Sequence, residues 1–173
     1  MISAQASSDQ GRSRRVFSLL TAAAFGLAVF GSAGAVIAAG PFDGLSGSWA
    51  GNGTVSYDDG TKERLTCTAK YDQTGSNSIS QVLACSSSSY NFRILAYYKN
   101  ADTKLTGHWS EQVLQIEGSI SGTVANGRIT GSLHGPTFHA AVVVDTHGAQ
   151  QTVTITNDNG SIREVAIAVR KNG

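Results

Sequence analysis

The chain carries four histidines, two cysteines and twelve carboxylates, the residues able to hold a metal, a thiolate or a proton. His134 and His139 flank Gly135-Pro136, a corner between two strands, and Asp145 and His147 sit at the following turn. Imidazole and carboxylate are suitable zinc or copper ligands. No His-x-His or His-x₃-His spacing gathers them, so the expectation is solvated histidines (His108 included) and no metal. Nucleophilic catalysis lacks its sequence marks too, for there is no Gly-x-Ser-x-Gly elbow and no Cys/His arrangement. Glu63, Glu111, Glu117, Asp145 and Glu164 are scattered, and no spacing fixes a pair for acid–base work. Gly51-Asn52-Gly53 is followed by no helix that would hold a phosphate. The reading is of a non-enzyme with no catalytic residue and no cofactor.

Aromatic residues offer a different chemistry. Tyr90, Phe92 and Tyr98 share one parity and Tyr97 has the other. An aromatic wall of this kind lines apolar ligand sites. With Trp49 and Trp109, these three form the candidate ligand-binding set. Cys67 and Cys85 lie in consecutive expected strands, and their midpoint falls in the turn 73–77. In a symmetric hairpin they face each other on the side of Leu65 and Leu83, close enough for a structural disulfide.

The elements that must carry these residues are strands. Nothing after residue 40 repeats apolar residues at helical spacing, whereas alternation recurs. The clearest unit is the stretch 119–134, turning at Asn126-Gly127, where a two-residue hairpin needs positive φ at both positions. Pairing outward puts Val124 opposite Ile129, Gly122 opposite Gly131 and Ile120 opposite Leu133. The other face pairs Thr123 with Thr130 and Ser121 with Ser132. One face is apolar or glycine and the other hydroxyl, so two constraints select one register. Further strands are expected over 48–57, 61–72, 79–86, 90–99, 104–110, 112–117, 137–146, 151–156 and 162–170. The stretch 137–146 is apolar on both faces, as a strand covered on both sides would be. Apolar-hydroxyl-glycine phrases at Leu45, Leu105, Ile120 and Ile129 suit a strongly coiled sheet. The fold expected is all-β, a single closed or nearly closed antiparallel up-and-down barrel of about eight strands, with a two-sheet sandwich as the alternative.

Composition agrees. Of 173 residues, 14% are charged and 20 are glycine. Abundant Ser, Thr and Gly argue against helices. Residues 1–38 read as a signal peptide: Arg12, Arg14 and Arg15, an apolar run from Val16 to Phe30, then small residues up to Ala38. Ser13-Arg14-Arg15-Val16-Phe17-Ser18-Leu19 resembles a twin-arginine signal, and a general secretory signal remains the alternative. Residues 39–173 then form the barrel domain, in the periplasm or secreted. The first 38 residues hold three of the thirteen Lys+Arg and one of the twelve Asp+Glu, leaving ten against eleven. That near-neutral balance gives no case for nucleic acid. An outer-membrane barrel would need an apolar lipid face, but Arg64 and Lys70 lie opposite Leu65 and Cys67, so no stable membrane insertion is expected after signal cleavage.

Leu45-Ser46-Gly47-Ser48-Trp49 resembles the Gly-x-Trp opening of calycin barrels, the lipocalins and avidins. That resemblance implies a Trp plugging one end of the barrel beneath a basic residue of the last strand, here Arg170 or Lys171. The further lipocalin motifs are absent, and avidin's ligand residues find no match. Exported metalloprotease inhibitors share the disulfide-bearing barrel, but their inhibitory segment has no clear counterpart in Pro41-Phe42-Asp43-Gly44. Across most of the mature chain, Gly47-Ser48-Trp49, Glu63-Arg64-Leu65-Thr66-Cys67, Leu83-Ala84-Cys85 and Gly107-His108-Trp109-Ser110-Glu111 are similar to small exported bacterial proteins of unassigned activity. The function expected is binding of a small apolar ligand. The alternative is a protein-interaction or inhibitor module with a filled barrel and a periplasmic protein as partner.

Overall fold

The computed structural model describes residues 40–173. The signal-peptide reading, with its export route and cleavage site, lies outside the described residues. Ten strands follow one another: β1 (Gly47–Tyr57), β2 (Lys62–Gly75), β3 (Ser78–Ser86), β4 (Asn91–Ala101), β5 (Lys104–Glu111), β6 (Ile116–Ala125), β7 (Arg128–His134), β8 (His139–His147), β9 (Gln150–Thr156) and β10 (Ile162–Lys171). Each pairs antiparallel with its neighbours in sequence, and β1 pairs with β10, so the meander closes into a barrel. The sandwich alternative is thereby set aside.

The barrel has ten strands, not about eight, and every expected strand but one occupies its own place in the ring. The expected strand over 112–117 does not form. Residues 112–115 are a turn, with Gln115 at φ 55°, and only Ile116 and Glu117 join a strand, β6. Barrel diameter grows with strand number, and eight strands leave an interior that side chains nearly fill. Ten therefore leave room within.

The hairpin β6–β7 has the expected register at all five pairs, with Asn126 at φ 52° and Gly127 at φ 76° in its turn. Ile120, Val124 and Ile129 are buried inside the barrel, while Ser121, Thr123, Thr130 and Ser132 face solvent. On β2, Leu65, Cys67, Ala69 and Tyr71 point inward, and Lys62, Arg64, Lys70 and Asp72 outward. Cys67 and Cys85 pair directly across β2 and β3 and form a disulfide with a Cα–Cα distance of 4.1 Å. Closing a loop of 18 residues contributes about 3 kcal/mol by restricting the unfolded chain. The expectation of a doubly covered strand over 137–146 fails. On β8, Ala140 and Val142 are buried, but Ala141 is exposed and Val143 half-buried, because the outer side of the barrel at this strand faces solvent.

The segment 40–46 folds across one end of the ring. Phe42 and Leu45 are buried beneath it, and the Trp49 indole donates to the Leu45 carbonyl at 2.8 Å. Trp49 meets Tyr71 edge to face with centroids 6.4 Å apart. Lys171 places its ammonium 5.7 Å above the Trp49 ring and donates to the Gly44 carbonyl at 2.9 Å. Lys171, rather than the outward and exposed Arg170, is thus the basic residue over the tryptophan.

Candidate functional site

Inside the ring lies a cavity of about 460 Å³, walled mainly by aliphatic and aromatic side chains of β3 to β10. Leu45 of the plugging segment forms part of its floor. At the opposite end it reaches the loops that join β3 to β4, β5 to β6, β7 to β8 and β9 to β10, where Tyr90, Leu114, Phe138 and Asn159 line it. A separate hollow of about 190 Å³ sits against the plug near Pro41, with Leu45 and Ile129 on its border with the cavity.

Four of the five candidate binding residues come together here: Tyr90, Phe92, Tyr98 and Trp109 all line the cavity. Tyr90 sits in the loop just before β4, its ring 6.0 Å from that of Phe92. The parity reading holds, for Tyr97 faces outward and stacks on His108 at 5.6 Å. Trp49 is the exception. It lies under the plug, 1% exposed, and does not reach the cavity wall.

Two glycines make the aromatic wall possible. A side chain at Gly118 would meet the Trp109 ring at 2.6 Å, and one at Gly107 would meet the Tyr98 ring at 3.0 Å. Trp109 therefore lies flat across β6, with its indole N–H on the Ser119 carbonyl at 3.2 Å and Phe138 against it at 5.6 Å.

A line of polar groups crosses this apolar interior. The Tyr98 hydroxyl donates to Gln81 Oε1 at 2.6 Å, and Gln81 Nε2 donates to the Tyr71 hydroxyl oxygen at 3.0 Å. The Tyr71 hydroxyl donates to Gln151 Oε1 at 2.8 Å, and Gln151 Nε2 donates to Thr146 at 3.1 Å. Burial pushes both phenols well above their usual range, so they remain neutral donors. Gln81 and Gln151 are missing from the candidate set. Their signal was a glutamine on the same parity as Ile79, Leu83 and Cys85 in one strand, and as Val153 and Ile155 in the other. A polar residue within an apolar stripe is the informative kind of burial.

The carboxylates of the barrel are held by their surroundings. Glu111 accepts N–H groups from Arg93 at 3.0 Å, from Val113 at 3.0 Å and from Leu114, and so caps the turn 112–115. Burial raises its carboxyl, but those backbone donors outweigh it and leave the group below the ordinary range. Glu63 accepts from Ser88, Ser89 and Tyr57. Side-chain hydrogen bonds from Ser87 and Ser89 foremost hold its carboxyl at about 2. Asp145 pairs with Arg128 at 2.7 Å on the outer face. His134 and His139 do meet, Nδ1 to Nδ1 at 2.8 Å, at the corner beside Phe138. Among the described residues no third metal-ligating side chain joins them.

Neither a family model nor a curated protein matches the chain. Solved structures do. The crystal structure of Rv2717c from M. tuberculosis is similar at a TM-score of 0.61 and 13% identity, covering 78% of this chain and 99% of that one. The S-type phycobiliprotein lyase CPES from Guillardia theta is similar at 0.52 and 13%, covering 76% and 90%. At such identities the likeness is one of fold: a closed antiparallel β-barrel.

Proposed function

We propose that this chain is an exported, non-enzymatic barrel that binds a small apolar ligand in its interior. The observation that carries this reading is the cavity of about 460 Å³, within the 300–1,000 Å³ usual for small-molecule sites. Its aromatic wall, and the two glycines that make space for it, support the same reading. A phycobiliprotein lyase shares the fold, which is compatible with a barrel that handles a small molecule. The filled-barrel alternative required a packed interior, and the hollow one argues against it.

The cavity carboxylate, Glu111, is spent on the turn 112–115 and Glu63 on the loop 87–89, which supports a binding role rather than acid–base chemistry. Export is supported by the disulfide, which persists in oxidising compartments. The near-neutral charge balance favours neither nucleic acid nor an anionic membrane as partner. The test is titration with N-phenyl-1-naphthylamine, an uncharged dye that brightens in apolar sites. Saturable uptake of one dye per chain supports the reading. No uptake by folded protein, together with no small molecule in an organic extract of it, refutes it.

A further inference from the structure

Resting on that reading, we infer that the cavity selects an uncharged ligand with an apolar body and a single hydroxyl or carbonyl group, which meets Gln81 and Tyr98. The inference comes from what the wall contains and from what its polar line leaves unspent.

Among the described residues no lysine, arginine or histidine lines the cavity, and the one carboxylate that does, Glu111, is turned onto backbone N–H groups. A ligand carboxylate, phosphate or ammonium would enter without a counter-charge. An ion buried without a partner loses its hydration uncompensated, which disfavours it in such a site. A purely apolar ligand would leave the polar line only partly used. A glutamine amide has two N–H donors, and Gln81 spends one on Tyr71. A phenol oxygen accepts as well as donates, and among the described residues the Tyr98 hydroxyl only donates, to Gln81. Gln81 and Tyr98 both line the cavity. Gln151 keeps an N–H too, but it is 2% exposed against 9% for Gln81, so Gln81 and Tyr98 offer the accessible donor and acceptor side by side. A hydroxyl satisfies both and a carbonyl satisfies the donor. At ~30 Å³ for each water-sized group, the cavity of about 460 Å³ holds on the order of fifteen non-hydrogen atoms, most of them against apolar wall.

Two comparisons test the inference. In the first, the wild-type protein is titrated with N-phenyl-1-naphthylamine and with 1-anilinonaphthalene-8-sulfonate, which has the same rings plus a sulfonate. The expected result is at least tenfold weaker binding of the anion. Equal affinities overturn the uncharged class while leaving a ligand-binding barrel intact, whereas uptake of neither dye defeats the barrel reading itself. In the second, 2-acetylnaphthalene and 2-ethylnaphthalene compete with the bound dye. The ratio of ketone to hydrocarbon affinity should fall about tenfold in Gln81→Leu, which removes the donor, and the ratio of 1-(2-naphthyl)ethanol to ketone affinity should fall in Tyr98→Phe, which removes the acceptor oxygen and keeps the ring. An unchanged ratio in folded variants overturns the assignment of Gln81 and Tyr98.

Discussion

Trp49, near the start of the first strand, and Lys171, at the end of the last, meet at the sealed end of the barrel with 5.7 Å between ammonium and ring. The contact joins the two ends of the sheet over the same residue that anchors the plugging segment. The two partners contribute unequally. Trp49 is 1% exposed, and truncating a buried aromatic typically costs about 3–5 kcal/mol. An exposed cation–π contact contributes roughly 0.5–1 kcal/mol. Trp49→Ala should therefore lower the urea midpoint several times more than Lys171→Met. Similar losses for the two would show that the tryptophan does not anchor the plug.

Acid stability should depend on Glu63. Its carboxyl titrates at about 2 in the folded chain, below the ordinary 4.5. A group depressed on folding stabilises above its unfolded value and loses that contribution as pH falls through the folded one. The stability difference between wild type and Glu63→Gln should be full above about pH 4.5 and shrink steadily towards pH 2. Urea unfolding at a series of pH values measures it. A difference that is constant from pH 7 to pH 2 would mean that the serine loop does not hold this carboxylate.

Gly118 is the seat of Trp109. An alanine there would press on the indole at 2.6 Å and on the His134 carbonyl behind it. Forcing atoms into such a contact costs about 1–3 kcal/mol. Gly118→Ala should shift tryptophan emission, lower thermal stability and weaken dye uptake together. Unchanged uptake would place the dye away from the Trp109 wall.

Much of this fold was legible because strands read out in parity. The β6–β7 register followed from an apolar face and a hydroxyl face that had to agree, and the Cys67–Cys85 pairing followed from symmetry about one turn. The aromatic wall followed from parity on β4. The strand count was less legible, since alternation marks each strand but not how many a closed ring takes up, and Val113 and Leu114 made a turn resemble a strand. Both are more than half exposed there, at 53% and 56%. What folds that turn is the Glu111 carboxylate, a contact that no periodicity reveals. The polar line Tyr98–Gln81–Tyr71–Gln151 joins four strands, and Tyr71 and Gln151 lie 80 residues apart. Parity places each of these side chains inside the barrel but does not say which of them touch. Trp49 was placed twice: the Gly-x-Trp resemblance implied the plug that it forms under Lys171, whereas the candidate ligand set put it in the wall, because an inward aromatic can serve either.

The central claim is that an occupant sits inside the ring, and filling the ring tests it most directly. Val142 is buried on the inner face of β8 and lines the cavity. Val142→Phe occupies part of the hollow without adding charge. If ligands enter the barrel, one equivalent of N-phenyl-1-naphthylamine binds wild type and affinity drops at least tenfold in the variant, while its circular dichroism stays that of a β-sheet. Equal binding by the two folded proteins would put the dye on the outer surface and contradict the account.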